Sequence, residues 1–243
     1  MKRLGLTLSL RARCFLLDVV IQKVNVILGV FFIQRVSFFI CLFITTQTIF
    51  AIPTAADELA QLLNNIHVMQ ASFEQSLVNQ HGKRIGTKTL GRMVCERPGK
   101  FRWETLQPNN QLIIINKDKM FLYDPDLAQL MKRKVDYSKP GNPAILLSSP
   151  VESLKQGFQI AKLKKHGQGL WFKLIPRTQK NQESGYQWIK IHFIGGRLDT
   201  MYIFDNLEQT ALINFYNIVL NTEIPLKTFT FNPPPNTEIF NSE

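Results

Sequence analysis

Cysteine is scarce in this sequence, and its placement excludes an internal disulfide framework. The chain has three cysteines in 243 residues, namely Cys14, Cys41 and Cys95. The first two lie in an N-terminal segment that we expect to be removed, so Cys95 is the single thiol of the mature chain. We expect Cys95 to pack as a small apolar side chain within a strand. Cys41 follows bulky residues in the middle of an apolar run, which does not fit a lipid-attachment signal.

Charge is absent from residues 36–50, VSFFICLFITTQTIF, which follow Arg35 and lead to the small residue Ala51. A basic region, an apolar stretch and a small residue at the cleavage point are the parts of a secretory signal peptide. We therefore predict a signal peptide over residues 1–51 and a functional domain over residues 52–243, located in the periplasm after cleavage.

The predicted leader is longer than the usual range of about 15–30 residues. Translation starting downstream of Met1, at Val30 or Val36, would explain the excess length. A retained membrane anchor is the alternative, because residues 14–33 are also largely apolar. However, Asp18 and Lys23 interrupt that stretch, and a membrane span needs about 20 apolar residues.

The net charge of +11 is uneven along the chain. Residues 1–50 hold six of the 29 Lys and Arg residues and one of the 18 Asp and Glu residues, so +5 of the charge lies there. The remaining +6 is ordinary for a soluble domain. The basic runs at residues 132–134 and 162–165 are typical of solvated strand edges. In an exported protein they favour anionic lipid headgroups or an acidic partner over nucleic acid, which we exclude.

The sequence also lacks the motifs of common enzymes and metal sites. It contains no nucleophile elbow, no phosphate-binding glycine loop and no H-E-x-x-H pattern. We interpret all four histidines as surface or turn residues, because none has metal-ligand spacing. Asp124 and Asp126 flank Pro125, which is first of all a turn sequence. We predict no catalytic residue, no metal and no cofactor, and therefore a protein that is not an enzyme.

The rest of the sequence predicts one helix followed by a meander of strands. Thr54 to Asp57 fits a capping box, and apolar residues then recur at helical spacing, which predicts a helix from about Asp57 to Met69. From Ala71 onward, around ten short runs rich in β-branched and aromatic residues alternate with Gly, Pro, Asn and Asp, as in consecutive antiparallel strands. A second short helical segment is predicted to start near Ser149 or Pro150.

Alternation indicates that one face of the sheet is apolar and the other wet. Phe101 and Trp103 share one face, as do Leu170, Phe172 and Leu174, and also Ile189, Ile191 and Phe193. Such a sheet with few helices should curl into an open, incomplete antiparallel β-barrel covered by α-helix, in a mainly β (α+β) fold. The interior would either hold a lipidic ligand or be filled by its own side chains; periodicity alone leaves both open.

Particular motifs resemble the LolA family of periplasmic lipoprotein carriers. The most specific is Glu96–Trp103 (ERPGKFRW), preceded by Gly91-x-Met93. The other matching elements are Gln70–Gln75 (QASFEQ), Pro108 with Gln111–Ile113, Tyr123–Pro125, Gly141–Pro143 and Lys227–Pro235 (KTFTFNPPP). The resemblance extends from about Asp57 to Ile239, which is essentially the whole predicted domain.

The resemblance implies a chaperone that binds the acyl chains of lipoproteins. Its implied partners are an inner-membrane ABC-type complex that releases lipoproteins and an outer-membrane receptor that takes them, and the carrier is expected to be a monomer. Arg97 would hydrogen-bond the lid in the closed state and release it on loading. The residues expected to form the cavity and lid, besides Arg97, are Leu59, Leu63, Phe101, Trp103, Ile113, Phe121, Ile145 and Leu146.

Two other roles on the same fold are the alternatives to a carrier. An outer-membrane lipoprotein receptor would be anchored through a lipid-attachment cysteine, which we do not find. A lipid-sensing periplasmic regulator should carry a further domain, for which this chain has no room. Which lipoproteins would be carried cannot be derived from the motifs.

Overall fold

A single twelve-stranded sheet dominates the computed structural model, which describes residues 53–137, 143–164, 167–177 and 185–242. The strands are β1 (Val68–Val78), β2 (Arg84–Glu96), β3 (Lys100–Gln107), β4 (Gln111–Asn116), β5 (Lys119–Asp124), β6 (Gln129–Lys134), β7 (Phe158–Lys162), β8 (Leu170–Pro176), β9 (Tyr186–Ile194), β10 (Arg197–Asp205), β11 (Thr210–Leu220) and β12 (Glu238–Ser242). The helices are α1 (Ala55–Asn64), α2 (Pro143–Ser148) and α3 (Val151–Gly157), with a 3₁₀ turn at Leu226–Phe229. The predicted leader lies outside the described residues and stays a prediction.

The sheet is open, which confirms the predicted incomplete barrel. Its strand order is β12-β6-β5-β4-β3-β2-β1-β11-β10-β9-β8-β7, so β12 and β7 stand at its two ends. Within the described ranges, neighbouring strands run antiparallel except β12, which pairs parallel to β6. The predicted antiparallel pairing therefore does not extend to this edge, which β12 joins after the turn at Leu226–Phe229 has packed on β3 and β4.

Helix α1 has the predicted capping box, begins two residues before the expected Asp57 and ends five residues before the expected Met69. The Thr54 hydroxyl accepts a hydrogen bond from the Asp57 amide, and the Asp57 carboxylate accepts one from the Thr54 amide. The predicted extension to Met69 is wrong because a distant residue ends the helix. The Asn221 side chain accepts hydrogen bonds from the His67 and Val68 amides at 2.9 and 3.2 Å, and its own amide donates to the Asn65 carbonyl.

The single predicted mid-chain helix is two short helices on either side of Pro150. Helix α2 comprises the apolar run before Ser149, and α3 begins directly after Pro150. Proline disfavours the helical conformation of the residue before it, which separates the two segments. Contacts of α1 with α3 and β7, and of α2 with β2 and β3, place these helices over the sheet as covers.

The predicted apolar faces are confirmed as the inner face of the sheet. Phe101, Phe172 and Ile189 are fully buried in one core cluster with Leu59 and Leu63 of α1. Strands β1 to β5 and β7 to β11 contribute residues to this core, so it extends along the sheet from β5 to β7 without β6 and β12. The core is therefore built between a curled sheet and its helical covers.

The outer face is only partly wet, contrary to the prediction. In β4, Leu112 and Ile114 alternate with the inner residues and are nevertheless buried. The segment around Phe229 covers them: the Arg102 guanidinium donates to the Thr228 carbonyl at 3.3 Å, and the Asn116 amide donates to the Phe229 carbonyl at 3.2 Å. The C-terminal segment thus forms a second apolar layer over one half of the outer face.

One predicted surface residue, His192, is also buried. Its side chain is only 7% exposed, its Nδ1 lies 3.0 Å from the Asp199 carboxylate, and its Nε2 lies 2.9 Å from the Gln168 carbonyl.

No helix among the described residues is long and apolar enough to cross a membrane.

Candidate functional site

A cavity of about 460 Å³ opens between the inner face of the sheet and α2. Its apolar part is formed by Phe101, Trp103, Ile113, Leu147, Met201, Ile203 and Ile213. Its polar part is formed by Gln75, Thr89, Thr105, Asn109, Asn110, Gln111 and Asp124, and Pro108 also lines it. The volume falls within the range of about 300 to 1,000 Å³ that is usual for ligand pockets. An apolar lining with a polar rim suits a ligand with an apolar body and a polar end.

The floor of the cavity is an aromatic stack that depends on a glycine. The rings of Phe73 and Trp103 are stacked with centroids 3.7 Å apart, and Phe101 and Phe215 lie within 6.4 Å of Trp103. Gly91 is the cross-strand partner of Phe73, and a Cβ atom there would overlap the Phe73 ring. The glycine therefore makes the space in which Phe73 can lie flat against Trp103.

Helix α2 is docked by hydrogen bonds on three consecutive carbonyl groups. The Arg97 guanidinium donates from Nη1 to the Leu147 carbonyl at 2.6 Å and from Nη2 to the Ser149 carbonyl at 2.5 Å. Between them, the Ser148 carbonyl accepts from the Gly99 amide at 2.8 Å. The last carbonyls of a helix have no partner within the helix, so these donors satisfy groups that would otherwise need water. The turn at Arg97–Gly99 is thus a latch for α2.

The latch arginine is a part-buried cation without a carboxylate partner among the ion pairs of the described residues. Burial lowers the pKa of Arg97 from its usual value, and the neighbouring Cys95 acts in the opposite direction. Arginine stays protonated nevertheless, so a positive charge rests on neutral carbonyl oxygens at a helix C-terminus, where the helix dipole favours a cation. A cation with only dipolar partners is held less tightly than one in a buried ion pair.

Cys95 contributes to the same contact and is not a reactive thiol. Its Sγ donates to the Leu147 carbonyl at 3.1 Å, and burial raises its pKa to about 12. A thiol with such a pKa is almost entirely protonated at neutral pH and is a poor nucleophile. The prediction that Cys95 packs within a strand is confirmed.

Helix α1 covers the core from another side and is attached mainly by packing. Leu59 and Leu63 are 1% and 2% exposed. On its outer side, Asp57 and Glu58 form ion pairs of 2.6 Å with Lys155 of α3 and Lys162 of β7. Neither Leu59 nor Leu63 lines the cavity. Both residues attach α1 to the core instead.

The structure brings three predicted residues together at the cavity, namely Phe101, Trp103 and Ile113. Arg97 lies beside it at the latch. Of the predicted lid residues, Ile145 and Leu146 pack against the core. The lid side chain at the cavity is Leu147, which was not among the predicted residues.

The expectation that Phe121 lines the cavity is wrong. Met120 and Leu122 pack against the inner core, and Phe121 alternates with them to the opposite face, across from Ile114 and Lys132. The two-residue period of the strand decides which face Phe121 occupies.

Sequence reasoning missed the contribution of the C-terminal half to the cavity. Met201 and Ile203 of β10 and Ile213 of β11 form its far wall. Their alternation in the sequence carried the signal, but no motif drew attention to it. The polar residues Asn109–Gln111 at the rim lie where β3 leads into β4. Asp124 accepts from the Asp126 and Leu127 amides, as its turn sequence indicated.

The arrangement is suited to binding. Within the described ranges, no three His, Cys, Asp or Glu side chains lie close enough to hold a metal ion. What the site offers is an apolar surface, a polar rim and a cover that is attached through backbone carbonyls.

Comparison with known proteins identifies the family. Residues 64–232 match the family model of the outer membrane lipoprotein carrier protein LolA. The outer-membrane lipoprotein carrier protein of Pseudomonas paraeruginosa is 34% identical over 76% of this chain and 86% of its own length. That of Coxiella burnetii is 32% identical over 82% of this chain and 93% of its own length.

Among solved structures, a LolA superfamily protein from Nitrosomonas europaea aligns with a TM-score of 0.44 and 11% identity, over 74% of this chain and 99% of that one. The family match covers more than half of the present chain, and both named relatives exceed 30% identity over more than two thirds of it. The chain therefore belongs to the LolA family of outer membrane lipoprotein carrier proteins.

Proposed function

We propose that this protein is a periplasmic chaperone that binds the acyl chains of lipoproteins and carries them to the outer membrane. The observation that supports this most is the pairing of an apolar cavity with a cover whose terminal carbonyls rest on Arg97 and Gly99. An acyl chain fits the apolar lining, and the polar part of the lipoprotein fits the rim. The names of the relatives point to the same cargo.

The latch explains how such a carrier could release what it binds. Burying an acyl chain is worth about 0.8 kcal/mol per CH₂ group, so a dozen groups would give ~10 kcal/mol and slow release. If loading displaces α2, part of this energy is consumed in breaking the hydrogen bonds from Arg97. The net affinity falls, and an acceptor that binds more strongly can withdraw the cargo by mass action.

Two partners follow from this proposal. A lipoprotein that is anchored in the inner membrane must be extracted, which we assign to an ABC-type releasing complex. At the other end, an outer-membrane receptor would take over the acyl chains. The carrier itself would act as a monomer without a cofactor and without catalysing a reaction.

The decisive experiment adds the protein, purified from the periplasm of a producing host, to spheroplasts that retain their lipoproteins in the inner membrane. We expect lipoproteins to appear in the soluble fraction in complex with the carrier. If no lipoprotein is released and no acylated species co-purifies, the proposal fails.

The latch is tested in the same assay with a matched pair of variants. Arg97→Leu removes the donors to α2, which favours the open, loaded state, so we expect this variant to retain lipoprotein and deliver less of it to outer membranes. Arg102→Leu is the control, because Arg102 also donates to a backbone carbonyl but on the outer face. Equal delivery by Arg97→Leu and the unmodified protein would refute the latch.

A further inference from the structure

The outer face of the sheet differs between its two halves. Over β3 and β4, the segment Leu226–Phe229 covers the strands, and Phe229 is only 2% exposed. Over β8 to β10, four large aromatic side chains point outward and remain partly exposed, namely Trp171, Trp188, Tyr202 and Phe204. Together with Lys173 and Lys190 we call these residues the aromatic-lysine patch.

The outward direction of the patch follows from strand alternation. In β9, Ile189, Ile191 and Phe193 belong to the inner core, which leaves Trp188 and Lys190 on the other side. In β8, the inner core contains Leu170, Phe172 and Leu174, so Trp171 and Lys173 point outward. The patch therefore lies on the face opposite to the cavity and is separate from the cargo site.

The aromatic rings of the patch are ordered against one another. Trp188 stacks on Phe204 with centroids 5.1 Å apart, and Trp171 lies 5.6 Å from Tyr202 and 4.2 Å from the His192 ring. These contacts join side chains of three neighbouring strands, β8, β9 and β10, into one partly exposed aromatic surface. Such a surface fits an extended layer better than a single peptide strand, which binds in a groove or at a sheet edge.

The two lysines occupy the centre of the patch with like charges facing each other. Lys173 of β8 is the direct cross-strand partner of Lys190 of β9. Their ammonium groups lie 5.4 and 4.7 Å from the Trp188 ring, and neither lysine takes part in any ion pair found in the described part of the chain. Directly opposed like charges destabilise a sheet. An anion bound between Lys173 and Lys190 would reduce their mutual repulsion.

We propose that the aromatic-lysine patch docks on the headgroup layer of an anionic phospholipid membrane. Tryptophan and tyrosine are enriched at membrane–water interfaces, because their rings are apolar and their N–H or O–H groups are polar. Lysines near an anionic bilayer are each attracted to the negative surface. The patch presents both features on one face, with Lys173 and Lys190 placed to meet lipid phosphates between flanking rings.

The proposal is tested with vesicles made of phosphatidylcholine alone or mixed with phosphatidylglycerol. We expect the protein recovered from the periplasm to co-sediment with the anionic vesicles and to be released by salt, since the attraction is electrostatic. Lys173→Gln/Lys190→Gln should lower the partition coefficient about thirtyfold. The control Lys132→Gln/Lys134→Gln changes the net charge equally on β6, at the other end of the outer face, and should keep most of the binding.

Tryptophan fluorescence gives a second measurement that does not require the lysine variants to fold. Lipids carrying a quencher near the headgroup should quench Trp171 and Trp188, while Trp103 in the cavity should stay unquenched. Trp171→Phe and Trp188→Phe should each remove part of the quenching.

Four results would overturn the proposal. The first is an equal loss of vesicle binding in the two lysine double variants, and the second is equal binding to neutral and anionic vesicles. The third is bound protein whose Trp171 and Trp188 fluorescence is not quenched. The fourth is a patch that proves to be buried in a dimer or covered by an acidic protein. Cargo binding is measured separately, by co-purification of acylated species with the Lys173→Gln/Lys190→Gln variant. Loss of vesicle binding with retained cargo would therefore separate this surface from the proposed carrier function.

Discussion

Two of the helices that cover the core, α1 and α2, are attached in different ways, and the difference indicates which of them can move. Helix α1 inserts Leu59 and Leu63 into the main core, where both are almost completely buried. Helix α2 also buries Leu146 and Leu147, at 2% and 5% exposure, but its C-terminal end is held in addition by hydrogen bonds, which three carbonyls accept from Arg97 and Gly99. Lifting α1 would expose its leucines to water, whereas lifting α2 breaks polar bonds that water can replace and uncovers Leu147 at the cavity.

Water affects the free energy of opening differently for the two helices. Full burial of a leucine side chain is worth about 1.5–3 kcal/mol, and water offers it no substitute. A hydrogen bond to a charged donor is much stronger in an apolar medium, but water replaces most of it on opening, so its net contribution is about 1.5–3 kcal/mol. Leu147 of α2 also faces the cavity, where a ligand can pack against the apolar surface that opening exposes. We infer that α1 is the fixed cover and α2 the movable one.

The largest expected effect concerns α1. Leu63→Ala should lower the free energy of unfolding by about 4 kcal/mol, because it leaves a void in a fully packed core. Chemical denaturation followed by circular dichroism measures the loss. Leu226→Ala is the matched control, since Leu226 is 81% exposed and should change stability by less than about 0.5 kcal/mol. A Leu63→Ala protein as stable as this control would mean that α1 is not the fixed cover.

A smaller and local effect is expected at the latch. Arg97→Gln removes the charged donors, and we expect it to lower the free energy of opening of α2 by about 2 kcal/mol. Hydrogen exchange of the Gly99 amide reports this opening directly, because that amide donates to the Ser148 carbonyl. The amide of Asn65, which donates to the Gln61 carbonyl at the end of α1, should keep its protection.

Arg97→Gln could instead accelerate hydrogen exchange equally at the Gly99 and Asn65 amides, which would contradict the distinction between a fixed and a movable cover. The two covers would then open together, and α2 could not be a separate gate. Arg102→Gln again serves as the control for losing an arginine on a neighbouring strand, and should leave exchange at both amides unchanged.

Sequence patterns predicted the inner architecture well, because burial on one face imposes a two-residue period. Phe101, Phe172 and Ile191 were placed on the inner face from alternation alone, and all three are fully buried. The open sheet and the capping box of Thr54 and Asp57 were also predicted. The resemblance supplied Arg97, whose position at the lid no periodic pattern could have indicated.

What the sequence did not reveal depends on contacts between distant residues. Asn221 ends α1 by binding the backbone at residues 65, 67 and 68, more than 150 positions away. The burial of Ile114 depends on the C-terminal segment that crosses it, so local alternation assigned that face to solvent. Phe121 was expected in the cavity, although its strand register turns it outward.

The smallest expected effect tests the polar attachment of α1 through pH. Hydrogen bonds from the Lys155 side chain, and then from the Thr54 side chain and backbone, lower the pKa of Asp57 from 3.8 to about 2. Because the folded-state pKa is the lower one, this stabilisation is fully present above pH 3.8 and is lost as the pH falls towards 2. Asp57 is exposed, so solvent screens the interaction and the effect is small beside that of Leu63.

The variant Asp57→Asn isolates this contribution, since it cannot ionise. Its melting temperature should lie slightly below that of the unmodified protein at neutral pH, and the gap should close between pH 4 and pH 2, a window set by the two pKa values. Differential scanning calorimetry across this range measures the gap. If the difference in melting temperature persisted at pH 2, Asp57→Asn would be destabilised by something other than the loss of the interactions of the Asp57 carboxylate. If instead the gap is large at neutral pH, α1 depends on its polar contacts as much as α2 does, and the contrast between a packed cover and a latched one would have to be abandoned.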